Sequence, residues 1–423
     1  MSCPSRCRAA RGAATGSSAT KGRTAEGAAA VSVYLDYAAT TPVDARVLAA
    51  MLPYFSEHPG NPSSMHAYGQ DARAAVDRAR VETASLLGAR PGEIIFTSGA
   101  TEADNLAILG VALARRRGPG GDAGRAQAAD APAGHIVTST IEHHAVLESC
   151  HFLQERGCEV TFVPVGASGV VDPDDVRRAV RPDTALISIM AANNEIGTLQ
   201  PLAAIGAIAR ERGVPFHTDA TQWVGALPAR VDDLRVDLLS LSAHKRYGPK
   251  GAGALYVRTG TPLVPLQRGG GHERGRRGGT ENVPGLVGLG AALRIAGETI
   301  DEEAERLSAL RDRLIEGALE IRGVVLNGDP ARRLPNNVNL SVEGTDSQSL
   351  VIGLDLRGVA VSAGAACSSG TLVASHVLAA LGLPEERAMS AVRLTLGRPT
   401  TAGDVDNALA ALRAVVTQLR RAA

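Results

Sequence analysis

Apolar and polar positions along this chain alternate between two rhythms. Short runs that are wholly apolar or repeat every second residue predict strands at Glu93–Thr97, His135–Ser139, Glu159–Pro164, Ala185–Met190, Pro215–Thr218, Leu238–Leu241 and Gly253–Val257. Between most of them the spacing turns helical. Val76, Ala79, Leu86 and Leu87 mark one helix over Gln70–Leu87, and Thr101–Leu113 predicts another. Strand and helix in alternation predict an α/β domain, with a mainly parallel seven-stranded sheet covered by helices on both faces.

A long amphipathic helix, with Ile300, Ala304, Leu307, Leu310 and Leu314 on one stripe, then breaks the rhythm. Short strands follow at Val324–Leu326, Val338–Val342 and Val392–Leu396. A closing helix carries Val405, Leu409, Leu412, Val416 and Leu419. These predict a smaller α+β domain joined near residue 295. The large domain is then 46–294, and the small one is 32–45 together with 295–423. No internal repeat is evident.

Two stretches fit neither rhythm. Residues 1–31 are rich in Ala, Gly, Ser, Thr and Arg, with Glu26 the only acid, which predicts a disordered tail. No hydrophobic segment follows its basic residues, which argues against a secretory signal. The composition resembles an organelle transit peptide. The same bias runs through the whole chain, however, and favours a bacterial extension. Residues 115–134, mostly Arg, Gly, Ala and Asp, predict a mobile surface insertion.

Charge narrows the function classes. Basic and acidic residues cancel, 44 against 44, so no global field draws the chain to nucleic acid or a membrane surface. No apolar run approaches the length of a membrane span. The five cysteines are odd in number and scattered, which predicts a reducing, cytoplasmic setting without a disulfide framework. Cys3 and Cys7 lack histidine or further cysteine neighbours, so no metal site is expected there.

Lysine is nearly absent: Lys21, Lys245 and Lys250 are the only three. Lys245 follows the strand-like run Asp237–Leu241 and precedes a Gly-Pro turn. An amine can form a Schiff base with a carbonyl, and a guanidinium cannot. From the count alone, a Schiff-base lysine and a solvated loop cation are equally good readings.

In an open parallel sheet, ligands bind beyond the carboxyl ends of the strands. Polar sets follow five predicted strands there: Ser98–Glu102, Glu142–His144, Asn193–Glu195, Asp219–Gln222 and Ser242–Lys245. Any one of them reads equally well as a helix cap or turn. Together they suit pyridoxal phosphate. The turn Ser98-Gly99-Ala100-Thr101 opens a helix, so its free amides and the Thr101 hydroxyl can hold a phosphate. Asp219 can pair with a ring nitrogen, Gln222 with the ring oxygen, and the flat imidazole of His143 can stack on the ring.

Five motifs, in order, go further: Tyr34–Pro42 (YLDYAATTP), Thr97–Glu102 (TSGATE), Asn193–Gly197 (NNEIG), His217–Gln222 (HTDATQ) and Ser242–Lys245 (SAHK). Together they resemble the cysteine desulfurases, fold-type I pyridoxal-phosphate enzymes of the class V aminotransferase branch. The resemblance covers the chain from about Val33 to the last helix. It implies that Lys245 is the Schiff-base lysine, with Asp219, Gln222 and His143 around the ring. It also implies phosphate contacts from Ala100, Thr101, Ser242 and His244. Thr280, in Arg277–Asn282, would reach the phosphate of the other subunit's site in an obligate homodimer.

Cys367 lies among small residues in Ser362–Gly370, as expected of an exposed loop rather than a buried thiol. That loop resembles the one carrying the nucleophile in group I desulfurases, and Arg393 matches their arginine for the substrate carboxylate, assisted by Asn194. The implied reaction turns L-cysteine into L-alanine and leaves a persulfide on Cys367. An acceptor protein, an iron–sulfur scaffold or a tRNA or DNA thiolation enzyme, would then take the sulfur. A selenocysteine lyase or another pyridoxal-phosphate lyase or aminotransferase is the alternative. Cys367 argues against transamination, and retention of the whole residue set argues against a non-catalytic scaffold.

Overall fold

The structure, a computed structural model, describes residues 33–115, 134–363 and 374–422. The predicted tail, almost all of the insertion and the loop with Cys367 lie outside the described residues. In chain order the strands are β1 (Val33–Tyr34), β2 (Ile94–Thr97), β3 (His135–Ser139), β4 (Glu159–Val163), β5 (Thr184–Ser188), β6 (Phe216–Asp219) and β7 (Leu238–Ser242). Then come β8 (Gly253–Val257), β9 (Val324–Leu326), β10 (Asn337–Val342), β11 (Val359–Ala360), β12 (Ser362–Ala363) and β13 (Ala391–Thr395).

Seven strands form the large sheet in the order β2-β8-β7-β6-β5-β3-β4. All run parallel except β8, which is antiparallel to both neighbours. Both faces are apolar because successive side chains point to opposite sides. Leu239, Leu241, Ala254 and Tyr256 enter one core, while Leu238, Leu255 and Val257 enter the other with the helix Ala100–Arg115. Each fully buried leucine or isoleucine contributes about 1.5–3 kcal/mol.

A second sheet, β12-β13-β10-β9, is antiparallel throughout, and β1 pairs with β11 in a two-stranded ladder. Val33 and Leu35 therefore share a core with Leu340, Leu394 and Leu412. The helix Val283–Leu319 joins the two cores and runs unbroken through residue 295. Leu286, Leu289 and Leu293 enter the first core, Leu307, Leu314 and Ile315 the second. Contrary to the sequence reading, this helix is long and apolar enough to cross a membrane by length and composition. Most of its apolar window is buried inside the protein, as in a core helix. Its length, about 55 Å at the helical rise, lets one element span both sheets.

Candidate active site

The carboxyl ends of β2, β3, β5, β6 and β7 open onto one cleft of about 460 Å³. Members of all five polar sets line it, among them Thr101, His143, Asn194, Asp219 and Lys245. Glu142 does not reach it. That side chain is fully buried, accepting from Ser139 Oγ at 2.6 Å and Met190 N–H at 2.9 Å, and burial pushes its pKa up to about 8.

At β2 the chain turns into the helix Ala100–Arg115, whose first-turn amides lack partners within the helix. Thr101, Ser242 and His244 line the cleft beside it. Gly253 on β8 lets the turn sit close, because a Cβ there would lie 2.6 Å from Gly99 Cα. Glu102 also lines the cleft, with its carboxylate neutralised by Arg277 at 2.8 Å and accepting the Ser98 N–H at 2.8 Å. Burial pushes the Glu102 carboxyl up, but those hydrogen bonds outweigh it and hold its pKa below the usual value. An anion is thus well accommodated at this helix start.

Asp219 ends β6 nearly buried, with Oδ1 accepting the Thr221 N–H at 2.9 Å. His217, two residues earlier, lies between Ser188 Oγ at 2.8 Å and Ser240 Oγ at 3.0 Å, and burial lowers its pKa to about 4. His143 caps the helix His144–Gln154, its Nδ1 accepting the Ala145 N–H at 3.1 Å. The neutral ring therefore carries its proton on Nε2. It is open to the cleft, yet desolvation by the surrounding walls lowers its pKa.

Lys245 follows β7. Its Nζ donates to the carbonyls of Ala38 and Ala39, both at 2.8 Å. Burial, with Arg393 nearby, lowers its pKa to about 8. Lys250 also lines the cleft but is exposed. Arg393 arrives from the other sheet, on β13. Its Nη1 donates to the Asn194 carbonyl at 3.0 Å and its Nη2 to Asp36 at 2.9 Å. Gln222 donates to Ala38 O at 3.1 Å.

The profile of the Aminotransferase class-V family matches residues 33–408. The chain belongs to that family. Within the class V family it is 50% identical to Cysteine desulfurase IscS of Dictyoglomus turgidum over 389 residues, 92% of this chain and 95% of that protein. Cysteine desulfurase IscS of Methanosarcina thermophila is likewise 50% identical, over 92% of this chain and 93% of that protein. Among solved structures, a NifS-like protein at 37% identity superposes with a TM-score of 0.83, covering 91% of this chain and 99% of that one. This class V chain is a fold-type I, pyridoxal-phosphate-dependent enzyme of the cysteine desulfurase kind.

The cleft fits that cofactor on its own chemistry. It joins an anion-binding helix start, an amine of lowered basicity, a carboxylate and an imidazole. Of the residues anticipated from sequence, Ala100, Thr101, His143, Asn194, Asp219, Gln222, Ser242, His244, Lys245 and Arg393 all line it. Thr280 is exposed and does not line this chain's cleft. Cys367 lies outside the described residues. Asp36 and the carbonyls of Ala38 and Ala39 went unassigned from sequence, although they sit in the YLDYAATTP motif. Asp104, fully buried and 3.6 Å from His217, was also missed. An aspartate in the second turn of a largely apolar helix was the available signal. Cys150 and Cys158 are buried thiols whose pKa burial raises, as inert structural cysteines should be.

Proposed function

We propose that the protein converts L-cysteine to L-alanine and passes the sulfur, through a persulfide on Cys367, to an iron–sulfur scaffold protein in the cytoplasm. The observation that carries this reading is the meeting of Lys245 and Arg393 in one cleft, from two different sheets. Arg393 grips the substrate α-carboxylate, with Asn194 beside it. Lys245 would hold the cofactor covalently and, as the freed amine, would move the substrate α-proton. When bound, the cofactor supplies an electron sink for the negative charge left at the α-carbon.

Asp219 would pair with the ring nitrogen and Gln222 with the ring oxygen, and His143, with its proton on Nε2, would stack on the ring and relay a proton. Ala100, Thr101, Ser242 and His244 would hold the phosphate. The Cys367 thiolate attacks the substrate sulfur, so an S–S bond forms as the C–S bond breaks. The electron pair stays with the carbon skeleton, which takes up a proton and leaves as alanine. No external oxidant is needed.

The working unit is a homodimer in which Thr280 completes the partner's phosphate site, a reading supported by its exposure outside its own cleft. Separate cores under the two sheets support the division into 46–294 and 32–45 with 295–423, bridged by the helix Val283–Leu319. The test is alanine production from L-cysteine by the loaded protein, with borohydride reduction and peptide mapping of the cofactor. Alanine formation with the label on Lys245 is the expected result. No alanine, or label on Lys250, sinks the assignment.

A further inference from the structure

The segment Asp36–Thr41 has no part in the steps above, yet it ties together much of the cleft. Ala38 and Ala39 hold Lys245 and Gln222 by their carbonyls. Thr40 Oγ1 meets His244 Nδ1 at 3.1 Å, and Thr41 Oγ1 donates to His244 O at 2.9 Å. Asp36 alone in this segment reaches the substrate arginine, its Oδ1 accepting from Arg393 Nη2 at 2.9 Å.

Backbone pairing fixes that contact. Asp36 bridges Thr395, two residues beyond Arg393 on β13. The Thr395 N–H donates to Leu35 O at 2.7 Å, and the Ala38 N–H donates to Thr395 Oγ1 at 2.9 Å. Asp36 therefore meets Arg393 from a clamped main chain rather than from a free loop. With the Asn194 carbonyl on Nη1, the guanidinium is held at both terminal nitrogens. Each of those nitrogens keeps a second N–H for a ligand. The aspartate also balances the charge of a side chain that is only 9% exposed, before substrate arrives.

We propose that Asp36 is a positioning residue for substrate: it sets the plane of the Arg393 guanidinium and thereby the selectivity of the cleft for an α-carboxylate. This rests on the assignment of Arg393 to that carboxylate. L-cysteine and L-cysteinamide differ only in that group, so the pair isolates the effect. Asp36→Ala should raise KM for L-cysteine on the order of tenfold, the equivalent of one charge-assisted hydrogen bond, with kcat changed less than about twofold. Its kcat/KM for L-cysteinamide should stay within about twofold of wild type. Asp36→Asn keeps an acceptor at Oδ1 and should restore KM for L-cysteine to within about threefold.

Visible-absorption titration of the holoenzyme with L-alanine and L-alaninamide should show the same discrimination without turnover. Equal weakening of acid and amide by Asp36→Ala, or no change in either, overturns the proposal. Arg393→Ala provides the control and should abolish the preference for L-cysteine over its amide. If it does while Asp36→Ala has no selective effect, this proposal alone fails. If Arg393→Ala leaves the preference intact, the carboxylate assignment fails and takes this proposal with it.

Discussion

Lys245 should take up an aldehyde readily at neutral pH, and the rate should level off near pH 8. Burial brings its pKa down to about 8, with the positive charge of Arg393 adding to the effect. Asp219 and Asp36 pull weakly the other way. Only the neutral amine attacks a carbonyl. At pH 7 about a tenth of Lys245 side chains are neutral, against about one in three thousand for a lysine at its ordinary value, an advantage of roughly 300-fold. The assay mixes apoenzyme with pyridoxal phosphate between pH 6 and 10 and follows visible absorbance. The logarithm of the rate should climb by about one per pH unit below 8 and flatten above it. Arg393→Ala removes a like charge and should move the plateau to higher pH. The same group has a sign for stability. Its folded pKa lies below the unfolded one, so it costs stability below about pH 8, and that cost is relieved as pH rises toward 10.5. A rate that keeps unit slope through about pH 9.5 would refute the reasoning, because Lys245 would then be an ordinary, solvated lysine.

Three further outcomes follow from particular residues. Cys367→Ser should keep cofactor binding and the spectral response to L-cysteine but lose alanine production, since a hydroxyl cannot accept and store sulfur; near-normal turnover would remove Cys367 from the reaction. Arg80→Leu should destabilise the protein by about 3–5 kcal/mol in urea unfolding. It strands the Glu273 carboxylate, which is 2% exposed and otherwise bonded to Arg80 and to the Phe96 N–H at 3.0 Å. Adding Glu273→Gln should recover part of that loss by removing the charge, and no recovery would argue against a charge effect. Deleting residues 1–30 should leave cofactor content and alanine production unchanged, measured side by side with the full chain.

Much of the fold was legible because both faces of the large sheet are buried. Its strands read as short runs that are apolar throughout or at every second residue, and their observed limits fall within about two residues of the sequence reading. The same cause hid one fact. Gly253–Val257 looks like its neighbours in sequence, and only the sheet order makes β8 antiparallel. The first half of the helix Val283–Leu319 was obscured by Pro284, Gly285, Gly288 and Gly290. Packing overrides propensity there, since a Cβ at Gly288 would lie 2.6 Å from Met51 Sδ.

Within the site, side-chain chemistry could be read where it follows a strand. Rarity singled out Lys245, and placement at the end of β6 singled out Asp219. The sequence could not place Thr280 relative to its own cleft, nor pair Asp36 with Arg393 across 357 positions of chain. It could not show that the carbonyls of Ala38 and Ala39 hold the reactive amine. Side-chain chemistry is written residue by residue in the sequence. A backbone carbonyl is the same group at every residue, so its partner exists only once the tertiary fold has brought two distant segments together.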